Sequence, residues 1–178
     1  MPTQIRRLVT GHDETGKSIF LMDDEAKTSI TVEAMGGLTV TDFWETLGSP
    51  VSNDGSEDMA NRPVHLEPEP TGTIFRTVEF PPDSPWKDDA NAKEGFSALG
   101  ASHVTDEVHP DPNMHRTDTI DYAMVIKGEI WAVLDVEERV MRAGDVLVQR
   151  GTNHAWANRT NEPCLVMFVQ CGAIRVLI

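Results

Sequence analysis

Along most of this chain apolar and polar positions alternate in short runs. The β-branched and aromatic stretches RRLVT, SIFLM, LTVTDFW, TIFRTVEF, YAMVIKG, EIWAVLD, RVMRAGDVLVQ, HAWANRT and CLVMFVQ are separated by Gly, Pro, Asn and Asp. Two-residue alternation bounded by turn formers predicts half-buried strands, and many in succession predict an antiparallel sandwich or barrel. Helical periodicity is nearly absent, and no repeat or heptad interrupts the pattern. The expected fold class is all-β.

Two segments depart from this rhythm. Residues 48–72 (GSPVSNDGSEDMANRPVHLEPEPTG) are rich in Pro, Gly and acids and read as a solvated connection, with the acidic linker itself at 51–72. Residues 81–113 carry five prolines around a weakly helical KDDANAKEGFSALG. A long irregular stretch inside a compact domain is usually a lid or a mobile loop, and this one runs directly into the richest motif of the chain, so a lid is expected. The layout is then N-terminal strands over 1–50, packing on the barrel or on a partner subunit, the linker, and a barrel over 73–178.

Size and charge narrow the function classes. With 178 residues and 19.7 kDa the chain is one domain with a sizeable core. Its net charge is −14, and residues 1–110 hold 8 basic against 20 acidic side chains. Nucleic acid and anionic membrane both require a basic face, so neither is an expected partner. The start MPTQIRRLVTGHDE has no signal-like apolar run, and no stretch approaches the ~20 apolar residues of a membrane span. Cys164 and Cys171 lie seven residues apart in one expected strand, on opposite faces and too far apart to pair. A soluble, reduced, cytoplasmic protein is the expectation.

The chemistry gathers in MHRTDTIDYAMVIKGEIWAVLD, residues 114–135, and RAGDVLVQRGTNHAWAN, residues 142–158. His115 and Thr117 share a strand face. A straight strand would carry Asp121 ~20 Å away, so a reversal at Thr117–Ile120 is expected to return Asp121 opposite His115. Lys127-Gly128 and Ala143-Gly144 make further turns. A strand starting at His154 places His154, Trp156 and Asn158 on one face. His115, Asp121 and His154 are thereby directed to one interior.

These residues resemble the cupins. The first cupin motif has Gly, five residues, His-x-His, three or four residues, Glu, six residues and Gly; here stand His115-x-Thr117, Asp121 and Gly128. The second has Gly, five residues, Pro-x-Gly, two residues, His, three residues and Asn; here stand Gly144, Gln149, Gly151, His154 and Asn158. The resemblance implies a conical β-barrel of the double-stranded β-helix (jelly roll) type with extra N-terminal strands. Similar small cupins with a QRGTNHAW-type second motif include members of fungal polyketide pathways described as oxidoreductases. A typical cupin metal site has three histidines and a glutamate, whereas Thr117 stands for the second histidine and Asp121 for the glutamate. Two histidines and one carboxylate still make the facial triad of non-haem Fe(II) enzymes, or a Zn²⁺ site with a catalytic water.

Three readings follow. In the first, His115, Asp121 and His154 bind a divalent metal (Fe, Zn, Mn or Ni) in an oxidoreductase or oxygenase acting on a carbonyl- or carboxylate-bearing compound. In the second, the protein is a lyase, isomerase or decarboxylase, metal-free or metal-assisted, with His115 and His154 as acid–base groups and Asp121 orienting them. In the third, the barrel only binds a small ligand. Thr117, Tyr122, Trp156 and Asn158 are candidate substrate contacts, and Phe168 and Met167 candidate pocket walls. Arg76, in TIFRTVEF, faces inward if Ile74 and Val78 do. It then either clamps a substrate carboxylate or pairs with a structural acid. His103 and His109 lie in the expected lid, where His109 would complete a metal shell or sit at the surface. GHDETGKS at 11–18 matches the phosphate-loop pattern, but its acids and the strands on both sides predict an acidic hairpin and no nucleotide. Exposed strand edges favour a homodimer.

Overall fold

The computed structural model describes residues 2–84, 86–87, 91–105 and 110–175. Its strands are β1 (Arg6–His12), β2 (Ser18–Glu25), β3 (Thr28–Val32), β4 (Leu38–Thr46), β5 (Thr73–Phe80), β6 (Thr119–Lys127), β7 (Glu129–Val133), β8 (Glu138–Arg142), β9 (Val146–Arg150), β10 (Ala155–Ala157) and β11 (Cys164–Gly172). One helix, α1 (Ala92–Ala98), lies between β5 and β6. The all-β expectation holds. Each apolar run named above contributes a strand, and RVMRAGDVLVQ divides into β8 and β9 at Ala143-Gly144, where Gly144 takes φ 93°. The short TSITV of β3 is the strand that the pattern did not mark.

The strands form three antiparallel sheets, ordered β3-β4-β5-β11-β6-β9, β10-β7-β8 and β1-β2. A core of Phe80, Val125, Ile130, Met141, Trp156, Val166 and Phe168 lies between the six-stranded and three-stranded sheets. A second cluster packs α1 and its flanks (Phe96, Leu99, Ala101, Val104) on Val32, Met35 and Val40. Helix α1 starts with reciprocal hydrogen bonds, since Asn91 Oδ1 accepts from the Glu94 amide and Asn91 Nδ2 donates to the Glu94 carboxylate. The expected lid segment thus supplies, over its described part, a packed wall that buries Phe96.

Register explains what the inner face of the large sheet carries. Glu45, Ile74, Gln170, Asp121 and Gln149 are successive cross-strand neighbours over β4, β5, β11, β6 and β9. All five are buried, so a largely polar stripe crosses an otherwise apolar face. Beside it run Asp42, Arg76, Phe168 and Ala123. Among the described residues this sheet ends at β3 and β9.

The N-terminal strands β3 and β4 extend the main sheet by hydrogen bonding. The β1-β2 hairpin is tied down by buried Arg7, which donates to Asp24, Asp58 and the Phe43 carbonyl. The GHDETGKS stretch is a hairpin connection whose Asp13 carboxylate accepts from Thr15 and Lys17, and a strand follows it. In the acidic linker, residues 51–57 are exposed, whereas Ala60 is buried and Arg62 pairs with Asp42 and Glu45. The acids of β4 point inward and draw this cation onto the sheet, so the segment is only partly a solvated connection. Cys164 and Cys171 are both unpaired on β11, as their spacing requires. Among the described residues no helix is long and apolar enough to cross a membrane.

Candidate active site

A cavity with about 780 Å³ of empty space, its open mouth included, lies between the two core clusters. Its walls are mainly apolar and aromatic (Leu66, Phe80, Trp86, Phe96, Trp156 and Phe168 among them), and His115, His154, Asp121, Gln170, Asn113 and Arg76 supply polar groups. A mainly apolar recess with a few convergent polar groups is the usual form of a small-molecule site.

The two histidines face each other. His115 and His154 form an antiparallel bridge pair with both backbone hydrogen bonds at 2.9 Å, so their side chains leave the backbone on the same side. Their ring centroids are 4.3 Å apart, and the Phe96 ring lies 4.6 Å from that of His115. Nδ1 of His115 lies 2.8 Å from the Asn113 carbonyl, and Nδ1 of His154 lies 3.0 Å from the Thr152 carbonyl. A carbonyl only accepts, so each Nδ1 carries the hydrogen and each Nε2 keeps a bare lone pair. Burial disfavours the imidazolium, reinforced at His115 by His154, and the pKa values fall to about 3 for His115 and about 4 for His154. Both rings are neutral at pH 7.

Asp121 shares the cavity but is not the cross-strand neighbour of His115. Its neighbours are Gln149 and Gln170, while those of His115 are His154 and Thr105. The expected reversal therefore sends Asp121 into the interior of the main sheet, and His154 takes the place opposite His115. Gln170 donates to Asp121 Oδ2 at 3.4 Å, and Asp121 Oδ1 is buried without a partner. Burial pushes the carboxyl up to about 6, against the hydrogen bonds of Thr119 and Gln170 and the Arg76 charge.

Among the described residues no group of three or more His, Cys, Asp and Glu side chains comes together as a metal site. Two imidazoles meet, and the Asp121 carboxylate accepts from Gln170 instead of joining them. The described residues thus do not fit the three-donor centre that the resemblance implies. His109 lies outside the described residues. His103 is exposed and bonded to Glu67, away from the cavity wall.

The other candidates divide. Trp156 lines the cavity beside His154, and Phe168 lines it from β11. Arg76 faces inward, as the Ile74–Val78 alternation allows, but its Nε and Nη2 form a fork on Asp42 at 2.8 and 3.1 Å. Its remaining hydrogen bonds go to the Leu66 and His65 carbonyls. The clamp expectation gives way to pairing with a structural acid, because Asp42, fully buried on the adjacent strand, needs that charge. Tyr122 is 53% exposed on the outer face between Val169 and Val148, and Met167 also faces outward. Thr117 is buried and bonds to Thr119 rather than lining the cavity. Asn158 donates to the Phe80 and Glu162 carbonyls and accepts from Thr160, which makes it a turn anchor. Gln170, Asn113 and Phe96 belong to no motif in the sequence. Gln170 was the most legible of these, a polar residue on the inward alternation Val166, Phe168, Gln170.

Comparisons with known proteins show the family to which the chain belongs. A family model for the cupin domain matches residues 103–170. The phomopsin biosynthesis cluster protein C' of Diaporthe leptostromiformis is 32% identical over 162 residues, covering 87% of this chain and 71% of the relative. The chain belongs to the cupin superfamily. Another cupin, the cupin-domain-containing oxidoreductase srdD of Neurospora crassa, is 30% identical over 93% of this chain and 74% of its own. The cupin-domain-containing oxidoreductase fogC of Aspergillus ruber is 29% identical over 92% and 68%. Among solved structures, a cupin 2 conserved barrel domain protein from Salinispora arenicola aligns over 76% of each chain at TM-score 0.39 and 14% identity.

The neutral histidines make this cupin sensitive to acid. In the unfolded chain each histidine takes a proton below pH ~6.5, while in the fold both resist it to about 3 and 4. Their contribution to stability is intact above pH ~6.5 and is lost as the pH falls toward those values. Asp121 acts oppositely: the fold keeps its proton up to about 6, so its contribution is present below pH ~3.8 and lost as the pH rises through 6. Between pH ~4 and ~6 unfolding takes up two protons at the histidines and releases one at Asp121, a slope of about 1.4 kcal/mol per pH unit. Urea unfolding over this range is expected to show the slope change by about 2.7 kcal/mol per pH unit in the His115→Gln/His154→Gln double variant.

Proposed function

We propose that this cupin is a small-molecule enzyme of the oxidoreductase kind for which its relatives are named. The observation that carries this reading is the His115–His154 pair, two neutral imidazoles with bare Nε2 atoms in a mainly apolar cavity. Both imidazoles are unprotonated and able to accept a hydrogen at pH 7; burial makes them weak bases in this cavity, and a positioned base contributes at most about 10²–10⁴-fold to a proton transfer. The cavity holds an organic compound against aromatic walls, excludes bulk water, and presents one of its hydrogens to Nε2. A divalent metal, when bound, would supply redox chemistry, but two gathered imidazoles are an incomplete shell for it. The role assigned to the histidines is therefore that of proton acceptors. A carboxylate-bearing substrate is disfavoured, because the Arg76 charge is already met by Asp42.

A specific observation also favours the lyase or isomerase reading. Asp121, with its carboxyl near 6, shares the cavity with the two bases and can return a proton. One experiment separates the outcomes: incubation of the purified protein with a panel of apolar alcohols and carbonyl compounds in air-saturated D₂O, where dioxygen is the oxidant that takes the two electrons, followed by mass spectrometry. Loss of two hydrogens or gain of one oxygen supports the oxidoreductase reading, and unchanged composition with deuterium incorporated supports the isomerase. Compounds that bind and return unaltered and unlabelled would leave only a ligand-binding barrel.

A further inference from the structure

The unmet hydrogen-bonding groups of the cavity share one polarity. Among the described residues, the buried polar atoms without a partner that line it are Asp121 Oδ1, Gln170 Oε1 and Asn113 Oδ1, and all three are acceptors. The two imidazole Nε2 atoms add two more. The assignments at Gln170 and at the two histidines are constrained by neighbours. Gln170 must turn its NH₂ to the Asp121 carboxylate, which leaves its carbonyl outward. The backbone carbonyls fix both histidine tautomers. The cations nearby are committed, Arg76 to Asp42 and Lys87 to Asp83 and Asp111.

We infer that the ligand of this cavity is an uncharged, mainly apolar ring compound bearing at least two hydroxyl groups, one donating to the His115–His154 pair and another to the Asp121–Gln170 pair. The inference rests on the reading of this cavity as the working site and names its substrate class. A hydroxyl brings the hydrogen that each bare acceptor lacks. A buried acceptor left unpaired costs about 1–3 kcal/mol, so a ligand without the matching hydroxyl leaves that cost in place. A carboxylate would set its charge beside Asp121 and the imidazole lone pairs with no free cation to meet it. The aromatic walls, Phe80, Phe96, Trp156 and Phe168, suit the face of a ring.

Calorimetric titration of the wild-type protein with four compounds on one skeleton tests this: 5-pentylresorcinol, 3-pentylphenol, 1,3-dimethoxy-5-pentylbenzene and 3-pentylbenzoate. The expected order is diol, then mono-ol weaker by about tenfold or more, then ether and benzoate weaker still. The Asp121→Leu/Gln170→Met and Asp121→Ala/Gln170→Ala double variants, which remove both acceptors, are expected to erase the advantage of the second hydroxyl while mono-ol affinity holds. Equal affinity of diol and ether, or preference for the benzoate, overturns the inference. So does stoichiometric Zn²⁺ binding that the diol cannot displace, since the acceptors would then serve a cation. The ranking needs no variant and survives a folding failure in either. If the hydroxyl order holds but no compound is converted, the enzyme reading fails and this inference stands. If the benzoate is bound and converted, the enzyme reading stands and this inference fails.

Discussion

Alanine at His115 or at His154 is expected to lower turnover by a factor of about 10²–10⁴. The two rings contact each other in one bridge pair and share one polar end of the cavity. They act as a unit, so the double variant is expected to lose little more than either single one. The loss should lie mainly in kcat, with a smaller rise in KM from the hydroxyl contact that is removed, because the apolar walls that hold the ligand are untouched. His→Gln at either position separates chemistry from architecture: glutamine keeps a polar side chain of similar reach and lacks the basic nitrogen. Steady-state rates of the three alanine variants and the glutamine variants, with a thermal melt of each, check this. Single losses that multiply in the double variant would show two independent roles. Full activity in His115→Ala would remove the pair from the reaction.

The second large effect is on stability. Arg76→Ala is expected to cost about 3–5 kcal/mol, because it leaves Asp42 buried with only Arg62 as a cation. Arg76→Leu combined with Asp42→Leu removes both charges and should recover a large part of that loss. Urea unfolding of the single and double variants gives the comparison. A stable Arg76→Ala protein that has lost ligand affinity would instead restore the carboxylate clamp and place Arg76 among the substrate contacts.

The fold was legible because strand rhythm and turn residues are local signals. The runs on either side of Lys127-Gly128 and Ala143-Gly144 became β6, β7, β8 and β9, and Gly128 shows why glycine stands there. Its φ is 87°, and an added Cβ would lie 3.0 Å from the Cys164 Cα and the Pro163 carbonyl. The meeting of His115 and His154 in one cavity was legible from motif spacing. The orientation of Asp121 was not, because it depends on which strands flank β6. Pairing with β9 and β11 aligns Asp121 with Gln149 and Gln170, a non-local choice that no short window contains. Arg76 shows the same limit: alternation turned it inward, but only the β4–β5 register, Asp42 against Arg76, shows what meets its charge. Tyr122 stands on the outer face for a simpler reason. It follows an inward Asp121, so alternation sends it out. Phe96 was hidden in a segment whose weak helical pattern gave no face to read.

The central claim is that two neutral imidazoles present bare Nε2 atoms to an apolar cavity. Long-range ¹⁵N–¹H correlation NMR of the histidine-labelled protein at pH 7 tests it directly. The account predicts that His115 and His154 are both uncharged, with the hydrogen on Nδ1 and no hydrogen on Nε2. An imidazolium at either residue, or a hydrogen on either Nε2, would contradict it.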